Sequence, residues 1–229
     1  MNAIRQSVAI PVVGVVLEGE LVVPDSARGV VLFAHGSGSG RHSPRNRFVA
    51  DVLNRAGLAT LLFDLLTPEE EPQRARIFDV ELLARRLREV TRQMRGAHAR
   101  VGYFGASTGS AAALWAAAES DADIAAVVSC GGRPDLAGPR LAAVRAPTLL
   151  IVGGADHAVL ELNLQAQARI RAPTEVSVVP GATHLFEEPG ALRTVAERAR
   201  DWFVPLVGGP VEAPAGGPVD GPVDGPAGR

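Results

Sequence analysis

The sequence predicts a single α/β domain in which a mostly parallel sheet carries helices on both faces. Short runs of apolar and β-branched residues alternate along the chain with longer amphipathic segments, which is typical of parallel strands joined by crossover helices. Several of the runs, such as residues 29–35, are apolar throughout, as expected of strands with both faces covered. At residues 101–118 a strand-like segment passes directly into an alanine-rich segment that favours a helix.

The predicted elements follow one another along residues 8–206. Two β-branched segments separated by Gly14 open the chain as an antiparallel pair at residues 8–13 and 15–23. Predicted strands then cover residues 29–35, 58–63, 101–104, 124–129, 147–152 and 175–179. Predicted helices cover residues 44–56, 77–94, 110–118, 159–170 and 189–206. In the helix at 77–94 the apolar side chains share one face, and we expect the arginines to face water.

Residues 1–207 form one predicted domain, and residues 208–229 are predicted to be disordered. After position 207 the composition changes to Gly-Pro-Val-Asp-like units whose largest apolar side chain is valine. Such a segment cannot bury enough apolar surface to offset the entropy that it would lose on ordering.

The composition narrows the functional classes. The 229 residues carry a formal net charge of −2, so overall charge makes no case for nucleic-acid binding. With one cysteine, the chain cannot form an internal disulfide. The apolar stretch at residues 8–17 is broken by Pro11 and Gly14 and is too short to span a bilayer. We therefore expect a cytoplasmic protein without membrane contact, and a homodimer is compatible with the sequence.

The pentapeptide at residues 105–109 has the pattern Gly-x-Ser-x-Gly, with Ser107 at its centre. A strand precedes it and a helix follows it, which is the context of a nucleophile elbow, where a sharp turn lifts the serine hydroxyl above the sheet. The helix N-terminus beneath the serine favours developing negative charge. Because glycine, alanine and serine are common in this chain, an ordinary tight turn remains the alternative reading of the pentapeptide alone.

Three candidate catalytic residues each follow a predicted strand. Ser107, Asp156 and His184 lie at the carboxyl ends of strands, the edge where open α/β sheets bind ligands. A serine hydroxyl needs a neutral imidazole to accept its proton, and the imidazole needs a carboxylate to orient it. We therefore predict Ser107 as nucleophile, His184 as base and Asp156 as its carboxylate, with Asp135 as the alternative acid.

Four motifs resemble those of the dienelactone hydrolase-like branch of the α/β-hydrolase fold. They are the Gly/Ser loop at 35–46, the elbow at 105–109, Gly-Gly-Ala-Asp at 153–156 and Gly-Ala-Thr-His at 181–184. The resemblance covers residues 8–206 and implies a mainly parallel eight-stranded sheet whose second strand is antiparallel. The connections around the elbow strand are too short for a large cap domain. Dienelactone hydrolases proper carry cysteine at the elbow, so the serine here puts a dienelactone substrate in question.

An oxyanion hole needs two backbone N–H donors aimed at the developing charge. Thr108, which follows the nucleophile, supplies one, and the resemblance assigns the other to Ser37; a flexible surface loop is the alternative for residues 36–42. The roles of Arg41 and His42 are left open. No cluster of side chains has the spacing of metal ligands, and no cofactor is expected.

The predicted function is hydrolysis of an ester, thioester or lactone through an acyl-enzyme on Ser107. The partner is a small acyl substrate. Two alternatives stay open: an acyltransferase that uses the same three residues, and a non-catalytic binding protein with the same fold.

Overall fold

The computed structural model describes residues 2–25 and 27–209, which form an eight-stranded sheet flanked by helices. The strands are β1 (Ala3–Val12), β2 (Val15–Pro24), β3 (Gly29–Ala34), β4 (Ala59–Phe63), β5 (Arg100–Ala106), β6 (Ala126–Cys130), β7 (Thr148–Gly153) and β8 (Thr174–Val179). The helices are α1 (Pro44–Arg55), α2 (Arg74–Ile77), α3 (Val80–Arg95), α4 (Thr108–Ala117), α5 (His157–Arg169) and α6 (Ala191–Val207). A 3₁₀ segment covers Pro134–Ala143.

The strand order is β1-β2-β4-β3-β5-β6-β7-β8. Strand β2 pairs antiparallel with both β1 and β4, and all later neighbours pair in parallel. The predicted fold, a mainly parallel eight-stranded sheet with an antiparallel second strand and no large cap, is confirmed. Most predicted boundaries shift by a few residues, and the irregular stretch expected after residue 130 leads into the 3₁₀ segment.

The core has two parts, one on each face of the sheet. Strand β3 shows the division, because Val30 and Leu32 belong to one cluster whereas Val31 and Phe33 belong to the other. Helices α3 and α4 cover the first cluster, and α1 and α6 cover the second. A strand buried on both faces needs apolar residues at every position, which explains the unbroken apolar runs in the sequence.

The helix predicted at residues 77–94 corresponds to α3 except at its start, where Phe78 and Asp79 separate α3 from the short helix α2. Helix α2 ends at Ile77, and α3 begins after Asp79, whose carboxylate accepts a hydrogen bond of 3.0 Å from the amide of Leu82. An aspartate at this position stabilises a helix start. Ile77 still packs against the core, so the apolar spacing continues across the interruption between the two helices.

The expectation that all arginines of this helix face water is wrong for Arg86. This side chain is 6% exposed and forms an ion pair with Glu70, with N–O distances of 2.6 and 2.8 Å. It also donates to the carbonyl of Leu65 at 2.9 Å. Arg86 therefore ties the loop of residues 65–73 to α3, and this loop borders a cavity described below.

The tail predicted at residues 208–229 lies outside the described residues from position 210 onward and stays a prediction. Gly208 is described and caps α6. Within the described ranges, no helix combines the length and apolar character needed to cross a bilayer.

Candidate active site

The three predicted site residues lie together at the carboxyl edge of the sheet. Ser107 follows β5, Asp156 follows β7, and His184 lies in the turn after β8. Parallel strands bring these ends to one edge, so residues far apart in sequence become neighbours.

Ser107 is held in a backbone conformation that side chains rarely adopt, with φ 50° and ψ −120°. Such a conformation costs about 1–3 kcal/mol and persists only where the surroundings impose it. The flanking glycines explain how the turn fits. A Cβ at Gly105 would lie 2.5 Å from the Cα of Ser110, and one at Gly109 would lie 2.1 Å from the carbonyl oxygen of Ala34. The elbow thus needs glycine on both sides.

A loop after β6 fixes the backbone of Ser107. The Ser107 amide donates to the carbonyl of Cys130 at 3.1 Å, and the Arg133 amide donates to the carbonyl of Ser107 at 3.1 Å. The neighbouring strand therefore holds the elbow from the side, and the hydroxyl points into a pocket that Ser107 and His184 both line.

A chain of hydrogen-bonding atoms links the three side chains. Nδ1 of His184 lies 2.8 Å from Oδ2 of Asp156, and Nε2 of His184 lies 3.4 Å from Oγ of Ser107. The second distance is long for a hydrogen bond, as is common in sites without substrate. An imidazole placed between a carboxylate and a hydroxyl can accept the hydroxyl proton and stay oriented while charged.

The alternative acid, Asp135, is not part of this arrangement. Its two carboxylate oxygens bind the guanidinium of Arg133 at 2.9 and 2.7 Å. That bond raises the pKa of the Arg133 guanidinium. Asp135 is thus held by its own neighbour, and the carboxylate beside His184 is that of Asp156.

The turn that carries His184 has its own anchor. Both the amide and the hydroxyl of Thr183 donate to Oε1 of Glu188, at 3.0 and 2.6 Å. The Thr183 hydroxyl bond holds the pKa of Glu188 below its usual range, so this carboxylate stays an acceptor. Glu188 was not singled out from the sequence, since an acid four residues after the histidine has no recognisable pattern.

Ser37 and Thr108, the predicted oxyanion donors, are also brought together. The Ser37 amide donates to Oγ1 of Thr108 at 3.0 Å, so the Thr108 hydroxyl occupies this donor. Thr108 is the first residue of α4, and its own amide lies in the first turn, where backbone N–H groups have no partner within the helix.

His35 connects this loop to the loop after β4. Its Nδ1 lies 3.0 Å from the carbonyl oxygen of Gly36, and its Nε2 accepts the amide of Leu65 at 2.9 Å. These two partners fit the tautomer in which Nδ1 is the donor and Nε2 the acceptor. His35 is buried and thus braces the start of the Gly/Ser loop, as a loop-shaping residue does.

Two cavities meet at the Gly/Ser loop. The catalytic pocket has a volume of about 260 Å³ and is lined by Ser107, His184, Arg45, Phe186 and Cys130, among others. The distal chamber has a volume of about 700 Å³ and is lined by Ser37, Thr108, Leu66, Ile77 and Leu83, among others. The volume of the distal chamber is in the range of small-molecule sites, about 300–1,000 Å³, and that of the catalytic pocket lies just below it.

Cys130 does not provide a nucleophile in this pocket. The residue is half-buried at the end of β6, and burial raises the pKa of its thiol to about 12. Since the thiolate is the reactive form of cysteine, this side chain stays an inert thiol at neutral pH.

The charged residues of the Gly/Ser loop have different environments. Arg41 forms ion pairs with Asp64 and Glu18, and its amide donates to Asp64 at 2.7 Å. His42 is exposed, and its Nδ1 lies 3.0 Å from an Nη atom of Arg47. These contacts give both residues a local structural role.

Arg45 is the basic residue that lines the catalytic pocket. It lies in the first turn of α1 and is 3.5 Å from Glu187, a pair whose side chains are 42% and 68% exposed. Such an exposed pair contributes little, about 0–1 kcal/mol. A cation in the first turn of a helix opposes the helix dipole, and this unfavourable placement was the available signal for Arg45 in the sequence.

The described residues hold no group of three or more His, Cys, Asp or Glu side chains able to bind a metal ion. The chemistry proposed for this site uses only the side chains and amides named above.

Comparisons with known proteins agree with this architecture. Residues 29–143 match the model of the alpha/beta hydrolase fold family. A dienelactone hydrolase from Anabaena variabilis is 52% identical, with a TM-score of 0.85 over 90% of this chain and 99% of that chain. Est1E from Butyrivibrio proteoclasticus is 16% identical, with a TM-score of 0.75 over 87% of this chain and 98% of that chain, a likeness of fold alone.

Two curated proteins from strains of Mycobacterium tuberculosis are each 63% identical to this chain over 196 residues. The match covers 84% of this chain and 44% of each relative, so the chain spans less than half the length of these relatives. Both are named, provisionally, as phosphoribosyl transferases. The family match and the Anabaena structure support a hydrolase enzyme. The chain belongs to the α/β-hydrolase family and has a dienelactone hydrolase-like fold.

Proposed function

We propose that the protein is a serine hydrolase that cleaves a carboxylic ester, thioester or lactone through an acyl-enzyme on Ser107. The observation that carries the proposal is the connected chain from Asp156 through His184 to Ser107, with distances of 2.8 and 3.4 Å. The strained backbone at Ser107 supports it, because such strain persists where function selects it.

Acylation begins when Oγ of Ser107 attacks the substrate carbonyl carbon and its proton passes to Nε2 of His184. The carboxylate of Asp156 stabilises the imidazolium that forms. The bond to the leaving group then breaks, and His184 returns the proton to the leaving oxygen or sulfur. Water, deprotonated by His184, attacks the acyl-enzyme, and the acid leaves as Ser107 regains its proton.

The amides of Ser37 and Thr108 stabilise the oxyanion in both steps. In the structure the Ser37 amide bonds the Thr108 hydroxyl, so the substrate oxygen takes the place of that hydroxyl. The exchange replaces one neutral hydrogen bond by a stronger one to a developing negative charge.

A fluorophosphonate probe tests the proposal, since it reacts with activated serines and not with ordinary ones. We expect mass spectrometry to find the adduct on the peptide that contains Ser107, and turnover of p-nitrophenyl acetate to disappear in Ser107→Ala. Ser7→Ala, an exposed serine on β1, is the matched control and should keep both labelling and turnover. No labelling of folded protein, or labelling elsewhere, would favour the binding-protein alternative.

Product analysis in the presence of added alcohols separates hydrolysis from acyl transfer. We expect the free acid as the main product. A predominant new ester would instead assign an acyltransferase to the same three residues. The phosphoribosyl transferase name belongs to proteins of which the matched segment is 44%, and no contact described in this site favours that activity.

A further inference from the structure

The distal chamber lies beside the proposed oxyanion hole. Its volume is about 700 Å³, compared with about 260 Å³ for the catalytic pocket. Gly36 and Ser37 line both cavities. Ser107 and His184 are on the wall of the catalytic pocket, whereas Thr108 is on the wall of the distal chamber. The two proposed oxyanion donors therefore lie between the catalytic pocket, which His184 lines, and the distal chamber, which it does not.

The position of the base determines how an ester lies across this boundary. The carbonyl oxygen binds between the amides of Ser37 and Thr108, and Nε2 of His184 must reach the leaving oxygen to protonate it. The leaving group therefore occupies the catalytic pocket with His184. The acyl chain extends from the other side of the carbonyl carbon, toward the distal chamber.

We propose that the distal chamber binds the acyl group, and that the substrate class is esters of neutral, apolar acids of medium size. This inference rests on the proposed function. The apolar part of the chamber wall is formed by Leu65, Leu66, Pro68, Ile77 and Leu83. Transfer of each acyl methylene from water to such a wall favours binding, so chain length should raise kcat/KM until the chamber is full.

The wall of the chamber is fixed by buried polar contacts. Arg86 binds Glu70 through two hydrogen bonds and the carbonyl of Leu65 through a third. His35 accepts the amide of Leu65 from the opposite side. The Arg86 bond holds the pKa of Glu70 below its usual range, which keeps this pair ionised at neutral pH. A wall held this way discriminates by size, because it cannot yield to an oversized group without breaking several bonds.

Charge at the chamber disfavours anionic acyl groups. The acidic and arginine side chains that line the distal chamber but not the catalytic pocket are Glu18, Arg41, Asp64 and Glu71. Arg41 is paired with Glu18 and Asp64, and Glu71 is exposed with no ion pair among the described residues. Arg45 lines both cavities, so the chamber wall carries three carboxylates and two guanidiniums. The excess of one negative charge, with Glu71 outside the Arg41 pairs, disfavours an acyl chain that ends in a carboxylate.

The test compares p-nitrophenyl acetate, butyrate, hexanoate and octanoate as substrates of the full chain. We expect kcat/KM for hexanoate to exceed that for acetate by about tenfold or more. Ile77→Trp, which fills the chamber, should lower kcat/KM for hexanoate by about tenfold and that for acetate by less than about twofold. Ile77→Ala enlarges the chamber and should move the acyl length with the highest kcat/KM toward octanoate. This variant provides the test if Ile77→Trp does not fold.

Phe78→Trp is the matched control. Phe78 is adjacent to Ile77, is 46% exposed and does not line the chamber, so it should leave the acyl-length profile unchanged. A second comparison uses the mono-p-nitrophenyl ester of adipic acid, which has six carbons and a terminal carboxylate. We expect hexanoate to be preferred by about tenfold, and Glu71→Gln to reduce this preference.

The outcomes separate the two proposals. Turnover that depends on Ser107 but shows no acyl-length preference, or equal losses for acetate and hexanoate in Ile77→Trp, would overturn the chamber assignment and leave the serine hydrolase intact. Absence of Ser107-dependent turnover for every ester would overturn the proposed function, and the acyl assignment with it.

Discussion

Two histidines, His35 and His184, lie at the same edge of the sheet and have different surroundings. His35 follows β3, and both of its ring nitrogens bond backbone groups, the carbonyl of Gly36 at 3.0 Å and the amide of Leu65 at 2.9 Å. His184 follows β8, and its nitrogens face a carboxylate at 2.8 Å and a hydroxyl at 3.4 Å. The rings are chemically identical, so the partners account for the difference in role.

Backbone groups neither gain nor lose a proton at ordinary pH. Nε2 of His35 is occupied as the acceptor of the Leu65 amide, so this atom is not available to take a proton from another group without loss of that buried bond. At His184 the carboxylate of Asp156 stabilises the protonated ring, and the hydroxyl of Ser107 can supply that proton. A histidine is thus suited to proton transfer when its hydrogen-bond partners stabilise both the neutral and the protonated ring.

Removal of the proposed base should give the largest effect. His184→Gln keeps a polar side chain but cannot accept the Ser107 proton, so we expect kcat for a p-nitrophenyl ester to fall by about 10⁵–10⁶. His157→Gln changes an exposed histidine beside Asp156 and should retain full activity. Retention of more than about 1% of kcat by His184→Gln would contradict the assignment.

The second-largest effect should come from Asp156, and it distinguishes this carboxylate from that of Asp135. Asp156→Asn should lower kcat by about 10³–10⁴ without loss of the fold, because the imidazole loses the partner that sets its tautomer. Asp135→Asn breaks only the bond to Arg133 and should cost less than about tenfold in kcat. Steady-state kinetics on both variants check this, and a reversed order would move the carboxylate role to Asp135.

His35→Gln should affect stability rather than chemistry. Loss of one partner of a buried hydrogen bond costs about 1–3 kcal/mol of unfolding free energy, which corresponds to a decrease in Tm of about 2–12 °C for a domain of this size. We expect kcat to change by less than about tenfold, because His35 contacts no reacting atom. Calorimetry and kinetics on one preparation measure both quantities; a loss of kcat like that of His184→Gln would remove the contrast.

A third histidine, His98, should give the smallest effect. It is 8% exposed, and burial lowers its pKa below the ordinary value of 6.5. As pH falls through 6.5, the unfolded chain binds a proton that folded His98 does not, so stability decreases and levels off below the folded pKa. Between pH 8 and pH 5.5 the wild type should therefore lose more in Tm than His98→Gln, as calorimetry at the two pH values can measure. Identical pH profiles would show that His98 does not contribute.

The sequence was sufficient to predict the succession of strands and helices along the chain. It also predicted the edge of the sheet at which three side chains meet. The reason is physical: strands buried on both faces require unbroken apolar runs, as at residues 29–35, and parallel strands end at one edge. Candidate residues that follow three such strands must then be neighbours. The elbow was visible because Gly105 and Gly109 occupy positions where any Cβ would meet backbone atoms.

Contacts between distant loops could not be predicted in this way. Arg86 has the helical spacing of a solvated arginine, and only the folded chain brings Glu70 against it at 2.6 Å. The interruption between α2 and α3 at Phe78 could not be predicted, because Ile77 packs against the core and so keeps the apolar spacing of a continuous helix. The hydrogen bond from the Ser37 amide to the Thr108 hydroxyl joins residues 71 positions apart, and no local pattern encodes it. Sequence thus indicated which residues reach the edge, and the tertiary structure determined what each one touches there.

The hydroxyl of Thr108 accepts the hydrogen bond that the Ser37 amide would otherwise donate to the substrate oxygen. A strong donor left bare in a small cavity would attract a water molecule or a stray anion, which each substrate would then have to displace. A threonine hydroxyl is tethered and neutral, and it moves aside by rotation about a single bond. A developing oxyanion accepts a stronger hydrogen bond than the Thr108 hydroxyl does, whereas a neutral carbonyl oxygen gains little by the exchange. The Ser37 amide therefore has a neutral partner within the chain, which a stronger acceptor can displace.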